Sequence, residues 1–130
     1  MESETVDFDQ LKAELDLLQV LGYRKFNVVQ QATIPGMAIR THTLDGRPFE
    51  YIFSHHTSGP FGDDLSPPWL TYDEAIQEYK AVFRRYKYFG DYSRVRKMPG
   101  AAQKVVRKIY RTITGYQGAL PSWFDTHASL

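Results

Sequence analysis

The sequence predicts a single α+β domain: an N-terminal helix, a short antiparallel sheet built on a hairpin over 37–54, two C-terminal helices and a docked aromatic tail. Three observations predict it. Apolar residues recur at helical spacing in three stretches, about 7–21, 72–89 and 99–114. Strand-like alternation brackets Asp45-Gly46. The tail from Tyr116 holds Leu120, Pro121, Trp123 and Phe124, which are large enough to dock back on the domain. A length of 130 residues suits one domain, 1–130, with a core of its own.

Met1–Val6 reads as a frayed terminus. Asp7 then serves as an N-cap, and Gln10 stands where a capping box would close. Phe8, Leu11, Leu15 and Leu18 line one face of a helix that Gly22 stops. Tyr23–Ile34 is rich in β-formers and is broken by Pro35-Gly36. Met37, Ile39 and Thr41 alternate on the next segment, and Phe49, Tyr51 and Phe53 on the return. Between them Leu44-Asp45-Gly46-Arg47 forms the turn, because Asp-Gly accepts positive φ. A two- or three-stranded sheet follows.

His55–Leu70 is interrupted by Gly59, Pro60, Gly62, Pro67 and Pro68 and reads as a loop. Trp69 precedes the Thr71 cap, where a hydrophobic staple is expected; Glu74 completes a capping box. Ala75, Ile76, Tyr79, Val82, Phe83 and Tyr86 form the stripe of the second helix, which ends at Gly90. Pro99 suits the first turn of the third helix, which runs to Thr114 before Gly115.

Composition excludes several functions. With no cysteine there is no disulfide framework, thiol catalysis or Cys-based metal site. No run approaches the roughly 20 apolar residues of a membrane span. The start, MESETVDFDQ, is acidic and unlike a targeting peptide, so a soluble cytoplasmic protein is expected.

The most informative pattern is the sorting of charge. Residues 1–78 hold 13 Asp/Glu against 5 Lys/Arg, a balance of −8, and residues 79–130 hold 2 against 11, a balance of +9. Such asymmetry points to an acidic partner more than to a catalytic task. At 100° per residue, Lys104, Arg107, Lys108 and Arg111 fall on one arc of the third helix, with Val105, Val106, Ile109 and Ile113 opposite. The linker adds Arg94, Arg96 and Lys97, and the second helix adds Lys80, Arg84 and Lys87. Tyr86, Tyr88, Phe89, Tyr92 and Tyr110 are interleaved with them. Cations meet phosphates and aromatics stack on bases, so the mixture suits nucleic acid. A merely solvated face, or pairing with Glu14 and Asp16, accounts for the same residues without a partner. Membrane contact is not expected, because Val and Ile opposite the cations are needed for the core.

His55-His56 with Asp63-Asp64 is the one candidate metal site, and Ser54, Ser58 and Ser66 lie near the same histidines. Neighbouring residues of a strand point to opposite faces, so exposed loop histidines are the simpler reading. No phosphate loop, dinucleotide fingerprint or nucleophile elbow is present. Neither a cofactor nor a metal is expected. The expectation is a non-enzymatic protein that binds nucleic acid or a nucleoprotein complex through Arg94, Arg96, Lys97, Lys104, Arg107, Lys108 and Arg111. The alternatives are an accessory subunit or inhibitor on an acidic protein surface, and a metal-dependent enzyme centred on the 55–64 loop.

Overall fold

The computed structural model describes residues 7–65, 68–120 and 124–130, and of Asp63 the backbone alone. The frayed terminus expected at Met1–Val6, and Ser66, Pro67, Pro121 and Trp123, lie outside the described residues. The elements run α1 (Phe8–Val20), β1 (Lys25–Gln30), β2 (Ala38–His42), β3 (Pro48–Ile52), α2 (Tyr72–Phe89), α3 (Gly100–Thr114) and β4 (Phe124–Ser129).

The caps explain where the helices begin and end. The Asp7 carboxylate accepts from the amides of Asp9 and Gln10. Gln10 donates to Glu14 rather than back to Asp7, so half of the expected capping box forms. At the other end Gly22 and Tyr23 amides return to Gln19 and Leu18 carbonyls, the paired bonds of a Schellman motif. On α2 the capping box is complete: the Thr71 hydroxyl accepts from the Glu74 amide, and the Glu74 carboxylate accepts from the Thr71 amide at 2.8 Å. Pro99 stands at the N-cap of α3, one residue before its expected place.

Two separate two-stranded sheets form instead of one. β1 pairs with β4, antiparallel, from Lys25↔Ser129 to Gln30↔Phe124. β2 pairs with β3 from Ala38↔Ile52 to His42↔Pro48. In the connecting turn, Gly46 alone takes a positive φ, +81°, and the loop closes through Thr43 and Arg47. The tail thus docks as a strand, an element its polar alternation (Phe124-Asp125-Thr126-His127) disguised.

α2 lies across β1 and against α1. Leu11, Leu15, Phe26, Ala75, Ile76, Tyr79, Val82 and Phe124 form the core, with Leu15, Phe26, Ala75 and Tyr79 fully buried. The Tyr79 hydroxyl is hydrogen-bonded to Thr126, which gives the buried phenol the polar partner it needs. Helix α2 is anchored at its start by Leu70, whose amide and carbonyl both pair with Phe26. Trp69 is only half-buried. The loop after β3 packs behind the β1–β4 sheet, placing Phe61 edge-on to His127 at 5.3 Å.

The hairpin departs from expectation. Of the row Phe49, Tyr51 and Phe53, only Phe53 is buried; Phe49 and Tyr51 are 46% and 40% exposed. β1 takes β4 as its partner, so among the described residues no third strand reaches the hairpin.

Candidate functional site

The third helix carries the expected cation row but is rolled about its axis. Its half-buried side is Ala102, Gln103, Val106, Arg107 and Tyr110, and no residue of it is fully buried. Val105, Ile109 and Ile113, expected in the core, are 57%, 53% and 79% exposed. At 100° per residue the packed side lies roughly 75° from the aliphatic arc, toward the cations. The cause is aromatic. Tyr110 meets Phe89 edge-on at 4.9 Å and Tyr116 at 6.4 Å. A fully buried aromatic ring removes about 150–250 Å² from water, and the half-buried Tyr110 removes part of that area while making two edge-on ring contacts that a valine or isoleucine cannot make.

The roll sorts the cations. Lys104, Lys108 and Arg111 are exposed, whereas Arg107 is half-buried. Its guanidinium donates to Gln103 at 3.3 Å, and its Nε is buried with no hydrogen-bond partner. Arg111 donates to the Gly118 carbonyl at 3.2 Å, tying the row to the tail segment. Lys104, Arg107, Lys108 and Arg111, with Thr112 and Gln117, line one open cleft of about 440 Å³. No acidic side chain is among that lining.

Arg94, Arg96 and Lys97 are exposed in the short turn (Val95–Lys97) before α3. Gln103 fastens that turn by donating to the Arg96 and Met98 carbonyls, and the turn touches both α2 and α3. These three residues stand at the N-terminal end of α3 and do not line the cleft. Lys80, Arg84 and Lys87 are exposed on α2.

Among the described residues the candidate cations are not neutralised internally. Among the described residues the ion pairs are Lys12–Asp16, Arg40–Glu50, Arg47–Asp45 and Arg85–Glu78. None involves the seven candidate cations. Asp16 is held below the usual carboxylate range by its hydrogen bond from Lys12, and further by the Tyr72 hydroxyl. The aromatic set divides as well. Phe89 is buried and Tyr86 and Tyr110 half-buried, while Tyr88 and Tyr92 are 54% and 85% exposed. Arg85, absent from the sequence argument, stacks over Tyr116 at 4.3 Å and pairs with Glu78 at 3.3 Å.

His55 and His56 are exposed and line a second cleft of about 390 Å³ with Gln31, Thr57, Ser58 and Asp125. The acid brought to these histidines is Asp125 of β4, bonded to Gln31, and Asp64 is not in the lining. Only pairing β4 with β1 creates that proximity, so sequence spacing could not show it. Among the described residues no three His, Asp or Glu side chains form a group fit to hold a metal. No helix among them is long and apolar enough to cross a membrane.

Comparison with protein-family models, with curated proteins and with solved structures finds no match to this chain.

Proposed function

We propose that this chain is a non-enzymatic binding protein whose α3 face engages nucleic acid or a nucleoprotein complex. The observation that carries the reading is the cleft lined by Lys104, Arg107, Lys108 and Arg111. Its cations have no carboxylate partner among the described residues, and the Arg107 Nε–H is buried without an acceptor. An anion in the cleft supplies the charged partner that the exposed Lys104, Lys108 and Arg111 lack. Lys104 to Arg111 spans about 10 Å of helix at 1.5 Å per residue. That length matches about three phosphate steps along one strand at 3.4 Å each, enough for four contacts. Arg94, Arg96 and Lys97 add contacts beyond the N-terminal end, and Tyr88 and Tyr92 are free to stack on bases. Contacts of this kind carry little sequence preference.

Fluorescence anisotropy with a labelled oligonucleotide tests the reading. Four phosphate contacts give a salt slope of about −2.8 on a single strand to about −3.6 on a duplex, so affinity falls about 50- to 150-fold between 50 and 200 mM salt. A variant with Lys104→Glu, Lys108→Glu and Arg111→Glu loses most of that affinity. Absence of binding by the parent at low salt, or a triple variant that binds equally well, overturns the proposal.

One observation favours a second reading. The uncovered Val105, Ile109 and Ile113 beside the cations suit an acidic protein surface with an apolar centre. A complex captured by the chain that survives nuclease treatment selects that accessory-subunit reading over the first.

A further inference from the structure

Two helix faces are left uncovered, and they are opposite in charge. On α3 the exposed stripe Val105–Ile109–Ile113 recurs every four residues and is bordered by Lys104 and Lys108. On α1, Leu17, Val20 and Leu21 are 59%, 83% and 62% exposed. At 100° per residue they fall with Ala13 opposite the buried Leu11 and Leu15. Glu14 borders this face on one side and Asp9 on the other. Neither carboxylate belongs to an ion pair among the described residues.

Each face wants what the other offers. Exposed aliphatic side chains of this size gain from removal from water, at about 25 cal/mol per Å². A helix laid along α3 must also bring carboxylates to Lys104 and Lys108. α1 has both properties. Like-with-like pairing fails, because α3 on α3 sets cation row against cation row, and α1 on α1 sets acid against acid.

We propose that this chain self-associates head to tail, with the α1 face of one copy lying along the α3 face of the next. The sorted charge of the sequence, −8 before Tyr79 and +9 from it onward, gives successive copies the same polarity. Such a contact is heterologous: every open assembly keeps one unused α1 face and one unused α3 face at its ends, so assembly grows with concentration unless the rotation closes a ring. The inference does not require the nucleic-acid reading, since the aliphatic stripes and α1 carry it, although both draw on Lys104 and Lys108.

Two variants make the test specific. Leu17→Ser/Val20→Ser removes the α1 face, and Ile109→Ser/Ile113→Ser removes the α3 face. All four side chains are exposed, so both variants fold, which circular dichroism verifies. Sedimentation velocity at up to about 100 µM, in about 50 mM and then 500 mM salt, reads the outcome. The parent is expected to sediment faster as its concentration rises. Each variant alone stays monomeric. Their equimolar mixture forms a one-to-one dimer, because the intact α3 face of one meets the intact α1 face of the other, and high salt weakens it. A parent that stays monomeric at about 100 µM overturns the proposal, and if it also pellets with vesicles of anionic lipid, a lipid surface covers α3 instead. A single-face variant that associates as the parent does overturns it equally.

Discussion

Replacing Ile109 and Ile113 by alanine tests the roll of α3 directly. A core isoleucine cut to alanine costs about 2–5 kcal/mol, from lost transfer energy and the cavity left behind. Full burial of such a side chain stabilises by about 1.5–3 kcal/mol. Ile113 is 79% exposed, so its buried fifth contributes roughly 0.3–0.6 kcal/mol on that scale. Ile109, 53% exposed, contributes roughly 0.7–1.4 kcal/mol. Alanine's better helix propensity returns a few tenths of a kcal/mol at either site. The net expectation is near zero for Ile113→Ala and about 1 kcal/mol or less for Ile109→Ala. Leu15→Ala, at a fully buried position, serves as the control and should cost about 2–5 kcal/mol. Urea unfolding at unchanged slope measures all three. Salt of about 0.5 M keeps association through α3 out of the comparison. A loss of 2 kcal/mol or more at Ile113 refutes the rolled helix and restores the aliphatic arc to the core.

Other outcomes are fixed by single positions. Gly59 has φ +90°, and a Cβ there would sit 2.6 Å from Ile34 Cδ1, so Gly59→Ala is expected to destabilise by about 1–3 kcal/mol in thermal melts; an unchanged melting temperature contradicts the packing of that loop. Thr71→Ala removes the hydroxyl half of the capping box and should cost about 1 kcal/mol. The Thr71 amide and hydroxyl hold the Glu74 carboxyl below its ordinary 4.5; the stability this adds is complete above that pH and is lost as pH falls below it. Acid unfolding of Thr71→Ala should therefore show a shallower loss below pH 4.5 than the parent, read from urea midpoints. Burial pushes the His127 imidazole below its ordinary 6.5, so its neutral form is favoured in the fold. The parent is expected to lose stability as pH falls below 6.5, and His127→Gln to flatten that slope; an equal slope in both assigns the effect elsewhere.

Local signals were legible in the sequence wherever one residue type decides the outcome. Asp7, Thr71 and Gly115 mark helix ends because capping is local chemistry, and α2 starts at Tyr72 and ends at Phe89 as its stripe and Gly90 imply. The partner of β1 was not legible. β4 carries Asp125, His127 and Ser129 between its inward Phe124, Thr126 and Ala128, so no apolar run announced it. Long-range pairing also decided the second cleft, where Asp125 rather than Asp64 joins His55 and His56. The cation row itself was readable from spacing. What spacing could not tell was which of its members would be drawn inward.

That last point turns on how periodicity counts. A helical wheel weighs each apolar position alike, and on α3 four aliphatic residues outvote one tyrosine. Folding weighs area and fit. Tyr110 has two aromatic neighbours, Phe89 from the end of α2 and Tyr116 from the tail, and Arg85 caps the other ring of that cluster. Seating Tyr110 there carries Arg107 into a half-buried position and swings Val105, Ile109 and Ile113 out to solvent. The same rotation therefore accounts for the unpartnered Arg107 Nε and for the uncovered aliphatic stripe. The first leaves a buried donor that no described residue satisfies, and the second gives α3 an apolar edge that a purely electrostatic binding face does not need.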